Sequence, residues 1–176
     1  MKPNVLQTDL SGKVAVVTGA GGILCGNMAK VLARAGAKVA LVNRSDAAIN
    51  QFAAEIIAEG GIAKAYKGNV LSKEDMERIA DQVLADFGPV DILLNGAGGN
   101  NPRASTDNET MTPDLEGVKD FFALEESGLK FVFDLNITSA FLTTQVFAKD
   151  MVEKKSGNIL NISAMNAYIP LTKIPA

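Results

Sequence analysis

The sequence predicts an α/β fold, a parallel sheet wound on both faces by helices, and three observations carry that prediction. The order strand, helix, strand, helix repeats along the chain. The strand candidates are short apolar runs, as expected for strands covered on both sides. Glycines punctuate the pattern, either just past a strand or at the end of a helix.

The first strand is Lys13 to Thr18 and the first helix Gly22 to Ala35, stopped by Gly36. Lys38 to Val42 is the second strand. A helix follows from Asp46 to Glu59, with Ser45 or Asp46 as its N-cap and Gly60-Gly61 as its end. The third strand is Ile62 to Lys67. Ser72 caps the next helix, with Asp75 in the place of a capping-box glutamate. There Met76, Ile79, Ala80, Val83, Leu84 and Phe87 recur on one helical face. Val90 to Leu94 is the fourth strand. Residues 98–122 are polar, hold Pro102 and Pro113 and lack a sustained period, so a long loop insertion over 99–122, with one helical turn, is expected. Glu125 to Lys154 reads as one long helix, apolar on more than one face and therefore suited to burial against a second subunit. Asn158 to Ile162 is the fifth strand, and Ser163 to Ala176 an irregular tail.

The composition excludes several functions. With 176 residues, 47% apolar and 21% charged, the chain suits one soluble domain over residues 1–176. A net charge of −3 offers no attraction to nucleic acid or an anionic membrane. Met1 to Ser11 lacks a signal-peptide pattern, and no continuous apolar run approaches the roughly 18 residues of a membrane span. The single cysteine, Cys25, fits the reducing cytoplasm. Without histidine there is no imidazole for a metal site or a Ser-His-Asp triad, and no metal is expected.

Three loops carry the chemistry. Thr18-Gly19-Ala20-Gly21-Gly22-Ile23-Leu24-Cys25-Gly26 joins the first strand to the first helix. A dinucleotide pyrophosphate needs a turn bare of side chains and a helix N-terminus facing it. Such a turn can also merely pack a helix on a strand; its place after the first strand favours the cofactor. The second strand ends in Asn43-Arg44-Ser45, with no acid before Asp46. An acid here would favour NAD(H), whereas Arg44 and Ser45 suit a 2′-phosphate, so NADP(H) is favoured over NAD(H). After the fourth strand, Asn95-Gly96-Ala97-Gly98-Gly99 lies where parallel sheets bind ligands.

Together these motifs resemble the short-chain dehydrogenase/reductase family along nearly the whole chain. Thr18 and Gly19 match its glycine loop, Asn95, Ala97 and Gly98 its motif after strand four, and Asn136 the asparagine of its long helix. The resemblance implies a Rossmann-type doubly wound parallel sheet in the order 3-2-1-4-5, with further C-terminal strands and helices outside this sequence. It implies cofactor contacts from Thr18, Gly19, Gly21, Gly22, Leu24, Asn43, Arg44, Ser45, Asn69, Val70, Asn95, Gly96, Ala97 and Gly98. Asn136 and Ser163 are the implied catalytic residues, Asn136 holding a water of the proton relay. Asn95 to Ala104 and the stretch from Met165 to Pro175 look most like the sugar-acid branch, which includes D-mannonate/fructuronate oxidoreductases. The loop from Gly98 to Phe122, with Asn100, Asn101 and Arg103, is then expected to be a lid or the binder of a substrate carboxylate, with a solvated surface loop as the alternative. Asn100 and Arg103 are the expected substrate contacts. The implied protein is a cytoplasmic NAD(P)-dependent homo-oligomer, a dimer or tetramer, that interconverts a ketone and a secondary alcohol on a sugar acid.

The sequence also departs from the family. Ile23 and Cys25 stand at the two later glycines of the loop, Asn69 at a usual aspartate, and Gly96 at the second asparagine of its motif. The usual spacing puts Ala164, rather than Ser163, at the serine position. Ser163 either substitutes after a local shift or, the favoured reading, has a structural role bonding local backbone after the strand. The Tyr-x-x-x-Lys pair, in which the Lys ammonium lowers the Tyr pKa, would begin just beyond Ala176. A longer enzyme is therefore expected, because an open fifth strand and a bare apolar helix invite aggregation. A catalytically inert dinucleotide module or redox sensor is the alternative. A methyl-donor-dependent transferase fits less well, because it leaves Asn95 and Asn136 as coincidences.

Overall fold

The computed structural model describes residues 8–110, 116–169 and 172–174. Two compact units form, Met1–Ala97 with Ser139–Ile162, and Gly98–Thr138 with Ser163–Ala176.

The first unit contains β1 (Val14–Thr18), α1 (Ile23–Arg34), β2 (Lys38–Asn43), α2 (Asp46–Ala58), β3 (Ile62–Lys67), α3 (Lys73–Phe87) and β4 (Ile92–Asn95). The second unit holds α4 (Glu126–Phe133); α5 (Ser139–Lys154) and β5 (Asn158–Asn161) return to the first. The sheet runs β3-β2-β1-β4-β5, and every pairing is parallel. All five residues of β1 are buried, because the central strand is covered on both faces. Ala15 and Val17 pack with Ala29 and Ala33 of α1 and Ile49, Ala53 and Ile56 of α2. Val14 and Val16 alternate to the other face, where α5 packs on β4 and on α3. There Met76, Ile79 and Val83 of α3 and Val146, Phe147 and Met151 of α5 are buried.

Local chemistry sets the helix ends. Gly36 and Gly60, the expected helix stops, adopt φ of 101° and 83°, and Gly88 after α3 also has a positive φ, 103°, which favours glycine at all three. The Ser72 hydroxyl accepts from Asp75 N–H at 3.2 Å as expected, but the reciprocal half of the box differs. The Asp75 carboxylate reaches past Ser72 to Asn69 N–H at 2.9 Å. Strand and helix limits otherwise lie within one or two residues of the sequence reading.

The long helix departs most from expectation. The chain stays helical from Glu126 to Lys154, but residues Asp134–Thr138 form a π segment between α4 and α5. Leu129, Phe133, Ile137 and Phe141 are exposed on the single chain. By length and composition alone this helix is long and apolar enough to cross a membrane. β5 lies at the sheet edge with all four residues exposed.

In the second unit the expected loop contains two short 3-10 turns, Pro102–Ala104 and Phe121–Ala123. α4 docks on the first of these through Gly128, where a Cβ would lie 2.5 Å from the Arg103 Cβ. Asp107 and Lys119 exchange bonds, Asp107 N–H to the Lys119 carbonyl at 2.9 Å and Lys119 N–H to the Asp107 carboxylate at 3.0 Å. Thr106 N–H donates to the Lys173 carbonyl at 2.9 Å. Pro113, and Pro170, Leu171 and Pro175 of the sugar-acid resemblance, lie outside the described residues, as do Met1 to Gln7.

Candidate functional site

In the first unit the C-terminal ends of β1, β2, β3 and β4 bring most of the expected cofactor residues to one rim of the sheet. Thr18 is the strap. Its buried hydroxyl accepts from Gly96 N–H at 3.1 Å and Ala97 N–H at 3.3 Å, and donates to the Leu94 carbonyl at 3.4 Å. The next residue, Gly19, has φ of 66°, and a Cβ there would lie 2.6 Å from the Gly96 carbonyl oxygen. The glycine loop after β1 and the loop after β4 are thus in backbone contact, which only a glycine at position 19 permits.

α1 opens bare. Gly22 is its N-cap without a side-chain bond, and no acid stands in the first turn. The N-terminal amides and the positive end of the helix dipole therefore have no carboxylate competing with an incoming anion. Ile23 and Leu24 are exposed at this end, whereas Cys25 is buried. Burial pushes the Cys25 thiol pKa up, which opposes thiolate formation despite the helix terminus.

Around this loop, Ala20 N–H donates to the Val42 carbonyl at 3.2 Å, and a Cβ on Gly21 would fall 2.5 Å from the Asn43 side-chain nitrogen. Asn43 itself donates to the Ser45 carbonyl at 3.3 Å. Arg44 and Ser45 are exposed, and Ser45 caps α2 without a side-chain bond. Among the described residues Arg44 forms no ion pair, while Asp46 pairs with Lys67 at 3.0 Å. After β3, Asn69 folds its side-chain oxygen onto Leu71 N–H at 3.2 Å, and Val70 is buried. The Arg78 guanidinium, with Asn69 N–H, holds the Asp75 carboxyl below its usual range.

Asn95 does something the sequence did not foretell. Its buried amide donates to Asn161 Oδ1 at 2.8 Å and Thr144 Oγ1 at 3.1 Å, and accepts from the Thr143 hydroxyl at 2.6 Å. Its side chain thereby joins β4 to β5 and α5. A polar Ser139, Thr143 repeat on an apolar helix was the available signal.

The second unit holds the remaining residues. Asn136, in the π segment, accepts from Gly99 N–H at 3.0 Å and donates to the Gly99 carbonyl and the Val132 carbonyl, each at 2.8 Å. A Cβ on Gly98 would lie 2.7 Å from Asn136 Oδ1. Asn100 donates to Ser105 Oγ at 2.8 Å. Arg103 lies 3.7 Å from the Glu125 carboxylate, an exposed pair that sequence reasoning missed. Ser163 is exposed just past β5, and Ala164 precedes a short 3-10 turn.

An uncharacterized oxidoreductase of Haemophilus influenzae is 53% identical over 169 residues, 96% of this chain and 59% of that protein. The uncharacterized oxidoreductase UxuB of Bacillus subtilis is 47% identical over 171 residues, 97% of this chain and 61% of its own length. A crystal structure with bound NAD, of a Haemophilus influenzae protein provisionally assigned as a D-mannonate oxidoreductase, aligns with a TM-score of 0.93 at 52% identity. It covers 96% of this chain and 60% of that one. The chain thus spans about 60% of the length of the relatives it matches. The short chain dehydrogenase family profile matches residues 13–176, and with the paired glycine loops and the 3-2-1-4-5 parallel sheet the chain belongs to that family.

Proposed function

We propose that the whole protein is an NAD(P)(H)-dependent oxidoreductase interconverting a ketone and a secondary alcohol on a sugar acid. The strap from Thr18 to Gly96 and Ala97 is the observation that carries this reading, because it fixes two side-chain-free loops beside an uncapped helix N-terminus. That donor set fits a pyrophosphate. When bound, the nicotinamide supplies or takes the hydride. Thr18, Gly19, Gly21, Gly22 and Leu24 would hold the pyrophosphate, Asn43, Arg44 and Ser45 the adenosine ribose, and Asn69 and Val70 the adenine. Asn95, Gly96, Ala97 and Gly98 would flank the nicotinamide. Asn136 and Ser163 would handle the proton, and Asn100 and Arg103 the substrate carboxylate. One domain over residues 1–176 with 99–122 as its insertion, a homo-oligomer and a cytoplasmic setting complete the proposal.

NADP(H) is favoured by Arg44, which is exposed and has no ion pair among the described residues, and by Asp46, which Lys67 neutralises. NAD(H) is favoured by the NAD held in the 52% identical structure. Thermal unfolding of the purified protein with each cofactor and with a methyl donor tests the reading. Stabilisation by a nicotinamide dinucleotide alone supports it, and stabilisation by the methyl donor alone overturns it. Turnover of fructuronate then separates the enzyme from an inert dinucleotide module, a reading that Ala164 at the serine spacing favours.

A further inference from the structure

Gly96 is needed for a reason its own backbone does not supply. Unlike Gly19, it does not occupy the left-handed region, so a side chain there meets no conformational bar. The bar is a neighbour. A Cβ on Gly96 would lie 2.2 Å from Cys25 Sγ, closer than its 3.0 Å to the Thr18 carbonyl or 3.1 Å to Leu94 Cδ2. The Cys25 thiol also donates to the Gly96 carbonyl at 3.7 Å, and Cys25 is only 5% exposed. On its other side the Gly96 peptide meets Gly19, where an added Cβ would lie 2.6 Å from the Gly96 oxygen and 2.7 Å from its carbonyl carbon. The spacing between the two loops is therefore set by contact, with the sulfur as one of the limiting atoms.

From this geometry we propose that Cys25 and Gly96 are a matched steric pair, two positioning residues that set the separation of the loops and so the affinity for a dinucleotide. The sulfur fills the space that a side chain at 96 would take, and the missing side chain at 96 lets α1 start this close to β4. Each position limits what the other can be. The affinity part of this inference rests on the dinucleotide reading above; the steric coupling does not.

A double-mutant cycle tests it. Gly96→Ala forces a methyl group against the sulfur and should weaken dinucleotide binding about tenfold, in line with overpacking costs. Cys25→Ala removes the sulfur, and the double variant exchanges one buried atom for another at nearly constant volume. The double variant should bind within about threefold of the unmodified protein. For turnover, Gly96→Ala should raise the cofactor KM about tenfold and the double variant should bring it back, a reciprocal recovery that general destabilisation would not produce. The thermal midpoint is followed in the same set without cofactor. If Gly96→Ala does not fold, recovery of folding and binding in the double variant decides in favour. No recovery in the double variant, or a Gly96→Ala protein that binds like the original, overturns the pairing. If the unmodified protein binds neither dinucleotide, the functional reading fails, and non-additive thermal midpoints still decide the coupling.

Discussion

Asn136 grips Gly99 by both of its main-chain groups, with bonds of 3.0 and 2.8 Å made by a single side-chain amide. The same nitrogen also satisfies the Val132 carbonyl at 2.8 Å, which a regular helix would have bonded through its backbone. The π segment and the loop end at Gly99 are thereby held by one residue. Asn136→Ala should speed hydrogen exchange at the Gly99 amide by about tenfold, with less than about 1 kcal/mol lost from global stability because the side chain is exposed. Gly98→Ala should do the same, since its Cβ would stand 2.7 Å from the Asn136 oxygen. Combining the two should add little. Unchanged exchange at Gly99 in Asn136→Ala would show that the clamp is not closed in solution.

Thr18 offers a cleaner separation of hydroxyl from shape. Thr18→Val keeps the volume but removes the acceptor for Gly96 and Ala97 N–H and the donor to Leu94. At a site 1% exposed, water cannot replace those bonds, so a loss of about 1–3 kcal/mol is expected. Thr18→Ser keeps the hydroxyl and should retain most of the stability. Thermal midpoints of the two variants measure the difference, and equal midpoints would remove the hydroxyl from the account.

What the sequence made legible was local, and what it hid was long-range. β1 and β2 show as apolar runs, α3 as a repeat on one face, and Gly36 and Gly60 as stops, because each signal lies within a few residues of its effect. The glycine loop was legible for the same reason. The π segment was not, because Asn136 meets Gly99 across 37 residues, and no periodicity encodes that meeting. The bonds of the Asn95 amide to Asn161 and Thr143, 66 and 48 residues away, were hidden in the same way. The pairing of Arg103 with Glu125, 3.7 Å away in space and remote in sequence, was hidden for the same reason.

The Asn95 cluster can be probed from the helix side. Thr143→Val leaves the buried Asn95 oxygen without the hydroxyl that now lies 2.6 Å away. The cost should be about 1–3 kcal/mol, seen as a lower denaturant midpoint at unchanged slope. Thr144→Val should cost less, since Thr144 is only half-buried and shares the Asn95 nitrogen with Asn161. An equal cost at both positions would mean that burial does not rank these bonds.

Asp91 should give the fold part of its resistance to acid. Its carboxylate accepts from Val14 N–H at 3.0 Å, meets Lys154 at 2.9 Å and Lys13 at 3.5 Å, and so joins the start of β1 to the end of α5. Burial pushes its pKa up, but the Lys154 bond, the Val14 N–H and the two ammonium charges together outweigh burial and leave it below the usual carboxylate range. A depressed folded pKa means that the unfolded chain binds the proton first. The stabilisation is therefore complete above the unfolded value of about 3.9 and is lost as pH falls through the lower folded value. Asp91→Asn keeps an oxygen for Val14 but loses the charge that faces the two lysines. At about pH 7 the variant should be less stable by about 1–3 kcal/mol, and the gap should narrow as the pH drops from about 4 toward 3. Urea midpoints of both proteins across that range measure it; a gap that stays constant to the acid end would place the effect of the substitution in packing rather than in charge.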